Sequence, residues 1–320
     1  MSKRAASCCV VSMPLRASRA TFALNWGECC LRFAIAVKVM ARCRRAKSLS
    51  YTAVLISGST TNNLAIPPEI IAEVRNPSTI FDYLRQKQTG TRRLNEAKVL
   101  VVGQGSVGKT SLIRRLLYDD FDPAENKTEG IDIQEWQVKV EDQSIDLHMW
   151  DFGGQEIMHA THQFFLTKRS LHVLVLDARL GEEENCLEYW LKMVESFGGD
   201  SPVIIVGNKV DQQRLDLDQK GLRTKYPAIQ DFVETSCDTN EGIDDLRTVI
   251  THEVGALDHI YDELPLTWYT IKSRLEEMDE DYLPYHRYEE ICAEVGVIDT
   301  QRQRNLVGFL HDLGVVLNFK

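Results

Sequence analysis

The sequence lacks a hydrophobic run of the roughly 18 residues that a membrane-spanning helix needs. Its most apolar stretch, residues 31–40, is interrupted by Arg32 and Lys38. The eight cysteines also lack the C-x₂-C spacing of a structural zinc site. We therefore expect no transmembrane segment and no cysteine-bound metal, and free thiols favour a reduced, cytoplasmic protein.

Acidic residues outnumber basic ones in most of the chain. Residues 1–50 hold ten Lys and Arg and a single acid, Glu28, which gives +9, so the net charge of −10 leaves −19 for residues 51–320. A body of this sign is a poor match for nucleic-acid phosphates, which require clustered Lys and Arg. The basic, cysteine-containing extension, residues 1–55, could be a transit peptide, a disordered tail or an incorrectly assigned start.

From residue 96 onward, apolar runs alternate with helical patterns. Runs at 98–102, 171–176 and 203–206 are typical of buried parallel strands, whereas 131–140 alternates as a half-buried strand whose hairpin partner, 145–150, follows across 141–144. Helices are expected at 109–118, 156–167, 183–196 and 242–253. This order predicts an α/β fold with a mostly parallel sheet, helices on both faces and ligands at the carboxyl ends of the strands.

A phosphate-binding motif, GQGSVGKT, occupies residues 103–110 between a predicted strand and a predicted helix. Its glycines let backbone amides converge on phosphates, and the helix amino terminus adds its positive end. We expect Lys109 to bridge the β- and γ-phosphates and the Thr110 hydroxyl to bind Mg²⁺. The candidate nucleotide contacts of this P-loop are Gly103, Gly105, Ser106, Val107, Gly108, Lys109, Thr110 and Ser111.

A second motif, DFGGQ at 151–155, directly follows the hairpin strand. Asp151 is expected to hold Mg²⁺ through water, the Gly154 amide to touch the γ-phosphate, and Gln155 to orient the attacking water. Gln155 and Lys109 are thus the catalytic candidates. Thr128 could give its hydroxyl and carbonyl to Mg²⁺ and the γ-phosphate. The alternatives are a surface-helix glutamine and an ordinary loop threonine.

A third motif, NKVD at 208–211, selects the base. The Asp211 carboxylate can accept the N1–H and N2 hydrogens of guanine, whereas adenine offers no donors there and would leave a buried carboxylate unpaired. Asn208 and Lys209 complete this motif as nucleotide contacts. Backbone amides of Ser236 and Cys237, after a strand-like segment at 231–235, could meet guanine O6. An ATP-using P-loop kinase or ATPase conflicts with Asp211.

Together these motifs resemble Ras-like small GTPases of the P-loop NTPase class over residues 96–256. The segments TEGI (128–131), WDFGGQE (150–156) and THQFFL (161–166) resemble the Roc domain of Roco proteins. Residues 262–320, with LPLTW at 264–268 and LHDLGVVL at 310–317, resemble the start of the COR domain, a small, mainly helical unit with helices at 267–278, 287–295 and 301–313 and a strand at 314–319. NLAIPPEI at 63–70 resembles the end of a leucine-rich repeat array, which makes 56–95 a repeat remnant and linker helix.

The resemblance implies a signalling switch that binds GTP and GDP, uses Mg²⁺ and hydrolyses GTP, with a homodimer formed through COR and an effector protein that the sequence does not identify. A nucleotide-gated scaffold with negligible hydrolysis is the second interpretation. No H-R-D-L-x-x-x-N catalytic loop appears, so the kinase activity of some relatives is not expected. Arg169 and Arg179 lie near the switch region, and we expect a surface role for each.

Overall fold

A computed structural model describes residues 9–12, 77–124, 128, 130–153, 165–280 and 282–319. Its helices are α1 Pro77–Gln88, α2 Lys109–Tyr118, α3 Leu187–Phe197, α4 Gln219–Lys225, α5 Ile243–Gly255, α6 Leu266–Glu276, α7 Tyr285–Glu294 and α8 Thr300–Leu313. Its strands are β1 Cys9–Ser12, β2 Thr91–Arg93, β3 Glu96–Val102, β4 Ile131–Val140, β5 Gln143–Phe152, β6 Ser170–Asp177, β7 Val203–Asn208, β8 Ile229–Thr235, β9 Glu263–Pro265, β10 Leu283–Pro284 and β11 Val316–Phe319.

The main sheet has the strand order β4-β5-β3-β6-β7-β8. Strand β4 is antiparallel to β5, and the other neighbours are parallel. The carboxyl ends of the five parallel strands therefore meet at one edge of the sheet. The predicted α/β fold is confirmed, and the described residues of the three motifs lie at this edge.

Side chains that alternate along the strands form two cores, one on each face of the sheet. In β3, Val99 and Val101 pack with α2 and α5, whereas Leu100 and Val102 pack with α3. All eight residues of β6 are buried, which explains why the run 171–176 is apolar apart from His172. Trp150 and Trp190 are also core residues on the α3 face.

The C-terminal helices α6, α7 and α8 enclose a third core, and α1 contributes to it. The Tyr83 ring of α1 lies edge-on to Trp268 of α6, with centroids 5.4 Å apart. Strand β2, just after α1, pairs with β9, and β1 lies between β10 and β11 in a small sheet. Helix α1, which lies in the stretch expected to be a linker, therefore packs on the C-terminal unit. No helix in the described part of the chain is long and apolar enough to cross a membrane.

Some predicted boundaries were wrong. The acidic run 182–184 forms a turn, and α3 begins only at Leu187, because the Asn185 amide binds back to the Asp177, Leu180 and Gly181 carbonyls. The hairpin turn is shorter than 141–144, since Val140 lies opposite Gln143.

Other expectations concern segments outside the described residues. These are the repeat remnant up to residue 76, most of the basic extension and residues 154–164 of the expected helix 156–167. The last residues of that helix, 165–167, are not helical.

Candidate nucleotide site

The P-loop connects β3 to α2, and two of its glycines are required by close contacts. Gly103 has φ +143°, and a Cβ there would lie 2.2 Å from the Val175 carbonyl oxygen of β6. Gly108 has φ +96°, and a Cβ there would lie 2.4 Å from the Asn208 side-chain nitrogen. Any larger residue would force the loop away from the neighbouring strand ends. Between them, Gly105 and Ser106 are exposed to solvent, and Val107 anchors the loop in the core.

Lys109 lies inside the curve of the P-loop. Its Nζ donates to the carbonyls of Gly103 at 3.0 Å and Gln104 at 2.8 Å. Burial lowers the pKa of this lysine to about 8, and the nearby Asp151 carboxylate opposes the shift. The ammonium is therefore held by the loop at the carboxyl edge of the sheet, beside the start of α2, where Ser111 also lies.

Three oxygen-bearing side chains converge beside the P-loop. The Thr110 hydroxyl lies 2.6 Å from the Thr128 hydroxyl and donates to Asp151 Oδ2 at 2.6 Å. The Thr128 hydroxyl also lies 3.1 Å from Asp151 Oδ2. The predicted metal ligands, drawn from three separate segments, are thus in contact with one another.

Asp151 is the buried member of this cluster. Its Oδ1 is buried and has no hydrogen-bond partner among the described residues. Burial raises the pKa of the carboxyl to about 6, although the Thr110 hydroxyl and Lys109 favour the charged form. A buried carboxylate oxygen without a partner beside two hydroxyls fits a hard cation such as Mg²⁺, which prefers oxygen ligands.

The predicted catalytic residue Gln155 and the predicted γ-phosphate contact Gly154 lie outside the described residues. The segment that leads to them is fixed up to Gly153, whose amide donates to the Gly130 carbonyl at 2.9 Å. A Cβ on Gly153 would lie 2.6 Å from the Thr128 carbonyl oxygen. The two loops that flank the candidate metal site therefore touch each other.

The base-recognition motif follows β7 and contacts the P-loop directly. Asn208 donates through Nδ2 to the Val107 carbonyl at 2.9 Å, and Lys209 donates through Nζ to the Ser106 carbonyl at 2.7 Å. These two contacts place the motif beside the phosphate loop. Phosphate and base contacts can then belong to one ligand.

Asp211 and the loop after β8 complete this region. The Ser236 hydroxyl donates to Asp211 Oδ1 at 2.5 Å, which orients the carboxylate. The Ser236 amide donates to the Glu241 carbonyl at 2.9 Å. The predicted use of this amide for guanine O6 is therefore wrong, because it is already bonded, and Ser236 acts through its hydroxyl. Cys237 is buried, and burial raises the pKa of its thiol to about 12.

The expected surface role was wrong for Arg169. This side chain is 4% exposed, pairs with Asp262 at 2.8 Å and lies over the Phe309 ring. Residues of the second unit bury the Arg169 side chain, and the local sequence around Arg169 does not predict this burial. Arg179, in contrast, is half-exposed and forks onto the buried carboxylate of Asp177.

The segment that resumes at Phe165 is docked on the C-terminal unit. Lys98 of β3 donates to the Phe165 carbonyl at 2.8 Å, and the Thr167 hydroxyl donates to the Asp312 carbonyl at 2.8 Å. Leu317 of β11 joins the core of the main sheet that contains Phe165. The chain after the DFGGQ motif is therefore connected to the second unit by packing and hydrogen bonds.

Two family models match the chain. The model described as "Ras of Complex, Roc, domain of DAPkinase" matches residues 98–211, and the model described as "C-terminal of Roc, COR-A domain" matches residues 265–320. The first covers the P-loop, the DFGGQ motif and the base motif. The second covers α6, α7, α8 and β11.

Known proteins resemble the chain in the same regions. A structure of Methanosarcina barkeri Roco2 RocCORdC bound to GDP is 47% identical, with a TM-score of 0.68, and the match covers 72% of this chain and 71% of that one. The probable serine/threonine-protein kinase pats1 of Dictyostelium discoideum is 27% identical over 79% of this chain. Ras-related protein Rab-18 of Lymnaea stagnalis is 32% identical over 46% of this chain and 74% of its own length. The chain spans 9% of pats1 and about a tenth of the next relative.

Proposed function

Because this chain belongs to the Roco family of Roc–COR GTPases, we propose that it hydrolyses GTP to GDP and phosphate with Mg²⁺ and acts as a molecular switch. It is a GTP-binding protein of the small-GTPase type. The observation that carries the proposal is the convergence on one P-loop of the Asp151 cluster and the base motif. A P-loop alone would leave the nucleotide and the reaction open.

Guanine selection is assigned to Asp211. Its carboxylate, oriented by the Ser236 hydroxyl, would accept the N1–H and N2 hydrogens of the base. Asp211 is exposed in this structure, and a bound base would cover it. An adenine ring would then leave the carboxylate without donors, which costs about 1–3 kcal/mol per unsatisfied group. We therefore expect GTP and GDP to displace labelled GDP and ATP to fail.

Thr110, Thr128 and Asp151 are the residues that would hold Mg²⁺. When bound, the ion would neutralise charge on the β- and γ-phosphates. Lys109 supplies a second positive charge from inside the loop, and the P-loop amides add hydrogen bonds that strengthen as negative charge develops in the transition state. We assign the positioning of the attacking water to Gln155.

A switch role is supported by the path of the chain after Asp151. Thr128 is expected to respond to the γ-phosphate. The chain after the DFGGQ motif leads to residues 165–167, where the Thr167 hydroxyl binds the Asp312 carbonyl of the COR unit and Leu317 joins the core that contains Phe165. Segments that order around a γ-phosphate and relax after hydrolysis are a common basis of switching. We propose that the nucleotide state reaches COR by this path, and that COR mediates a homodimer and contact with an effector protein. A cytoplasmic location is supported by the unpaired thiols of the described cysteines.

The test is single-turnover release of phosphate from [γ-³²P]GTP by the full chain with Mg²⁺, over a wide range of protein concentration. The variants are Gln155→Leu and, as the matched control, Gln137→Leu, because Gln137 is an exposed residue of β4 that bonds only to the side chain of Asp146 in the described structure. We expect release by wild type and Gln137→Leu, and a loss of roughly 100-fold or more in Gln155→Leu with GTP binding retained.

Each outcome separates two interpretations. Release per molecule that rises with protein concentration supports a dimer-assisted GTPase. Tight GTP binding with negligible release at every concentration favours the nucleotide-gated scaffold. Unchanged turnover in Gln155→Leu would remove Gln155 from the reaction.

A further inference from the structure

A buried acid that the nucleotide motifs do not include lies at the carboxyl end of β6. Asp177 is 3% exposed and is the strand partner of Asn208, the first residue of the base motif. Its carboxylate accepts two hydrogen bonds from the Arg179 guanidinium, at 2.8 and 2.7 Å, and one from Lys209 Nζ at 2.7 Å. These contacts fill both carboxylate oxygens with cationic donors.

The backbone of Asp177 is held in place from two sides. Its amide donates to Asn185 Oδ1 at 2.8 Å, and its carbonyl accepts from Asn185 Nδ2 at 3.0 Å. The next amide, that of Ala178, donates to the Asn208 carbonyl at 2.9 Å. The carboxylate therefore has a fixed position relative to the base motif.

Lys209 bridges Asp177 to the phosphate loop. The same Nζ that contacts Asp177 donates to the Ser106 carbonyl at 2.7 Å. Although burial opposes ionisation, hydrogen bonds from Arg179 and Lys209 lower the pKa of Asp177 to about 2. The Asp177 carboxylate is thus charged at any working pH. It neutralises the Lys209 ammonium, which also donates to the uncharged Ser106 carbonyl.

We propose that Asp177 is a positioning residue for nucleotide binding, because it holds the Lys209 ammonium against the Ser106 carbonyl and so keeps the base motif and the P-loop closed around the ligand. This inference rests on the nucleotide-binding part of the proposed function and is independent of hydrolysis. Without the carboxylate, Lys209 and Arg179 are two like charges at one point. Lys209 then loses the charge-assisted contact that fixes it.

The expected effect is on nucleotide release. The loss of one charge-assisted hydrogen bond corresponds to a change of roughly 10- to 100-fold, so Asp177→Asn should release GDP faster by that factor. Asp177 touches neither Thr110 nor Asp151 in the described structure. The rate of phosphate release from preloaded GTP in a single turnover should therefore stay within about twofold of wild type.

The experiment is the chase of a fluorescent N-methylanthraniloyl GDP from the full chain by excess GDP. Its double-mutant cycle comprises wild type, Asp177→Asn, Lys209→Gln and the double variant. Glu188→Gln is the matched control, because this exposed acid of α3 pairs only with Lys192, Lys225 and Tyr226 in the described structure. We expect the double variant to release GDP at the rate of Lys209→Gln alone, and the control to behave as wild type.

Three results would overturn the inference. The first is wild-type release in Asp177→Asn. The second is a further acceleration of the same size in the Lys209→Gln background, which would show that Asp177 acts elsewhere. The third is a parallel fall in melting temperature and in single-turnover hydrolysis, which would assign Asp177 to general stability. A wild-type chain that retained no GDP would overturn the binding proposal as well, whereas retention without hydrolysis would overturn only the hydrolysis proposal.

Discussion

Lys98 offers a quantitative test of how the Roc and COR units are joined. The residue is 2% exposed, and its ammonium donates to the Phe165 carbonyl and lies 4.3 Å from the centroid of the Trp150 ring. Its methylenes approach Gly314, where an added Cβ would lie 3.0 Å from Lys98 Cδ. Burial lowers the pKa of this lysine to about 7, and Asp312 only partly offsets the effect.

The magnitude follows from linkage. A change of one in pKa corresponds to about 1.4 kcal/mol, so the fall from 10.5 to about 7 means that charged Lys98 costs the folded state on the order of 5 kcal/mol. Because the folded pKa lies below the unfolded one, the unfolded chain binds more protons between pH 7 and 10.5. The penalty is full below pH 7 and is relieved as pH rises through this window.

The substitution Lys98→Met removes the titration and keeps an unbranched side chain against Trp150. Between pH 6 and pH 9 we expect the wild type to gain roughly 2–3 kcal/mol of stability relative to the variant. The measurement is the free energy of chemical denaturation of both chains across this range. Lys139→Met, on the exposed face of β4, controls for the loss of an amine from the surface. Parallel curves for wild type and Lys98→Met would refute a buried, charge-penalised Lys98.

Two further predictions concern packing. Asp262→Asn removes the carboxylate that pairs with the buried Arg169, and the free energy of unfolding in chemical denaturation should fall by roughly 3–5 kcal/mol. The control Asp244→Asn, in an exposed pair with Arg247, should lower it by less than about 1 kcal/mol. Equal effects of the two substitutions would contradict a buried Arg169–Asp262 pair. Gly103→Ala should abolish retention of labelled GDP in a filter-binding assay, because its Cβ meets the Val175 carbonyl at 2.2 Å. The control Gly308→Ala, in α8, has open space at its Cβ. It should retain GDP, and its free energy of unfolding should rise by up to about 1 kcal/mol. GDP retention by Gly103→Ala would contradict this account of the loop.

The main sheet and its ligand edge were predictable because the signals are local. The run 98–102, the P-loop and helix α2 are contiguous, and glycine chemistry alone demands a tight phosphate loop there. The apolar runs that became β6 and β7 are buried on both faces, as their composition predicted. Thr128 was a weaker candidate, and its contact with Thr110 supports its place in the site.

Boundaries and roles that depend on particular side-chain and loop hydrogen bonds were missed. The acidic run 182–184 is a good helix start by local charge, yet the Asn185 amide folds it back onto the end of β6. Ser236 was assigned through its amide, but the Glu241 carbonyl takes that donor and the hydroxyl turns to Asp211. In the first case, hydrogen bonds from Asn185 to carbonyls four to eight residues away outweigh the local charge preference. In the second, the nearby Glu241 carbonyl takes the amide donor.

The sequence by itself determined the nucleotide class and the main sheet, because both depend on short contiguous segments whose local backbone preferences are strong. Only the tertiary structure decided that Lys98 and Arg169 are buried, that Asp177 binds Lys209, and that Thr167 contacts COR. The hydrogen-bonded partners in these contacts are between 32 and 145 residues apart along the chain. The order of the strands and the packing of the second unit determine which of these contacts form. Desolvation then sets the free-energy cost of each buried charge.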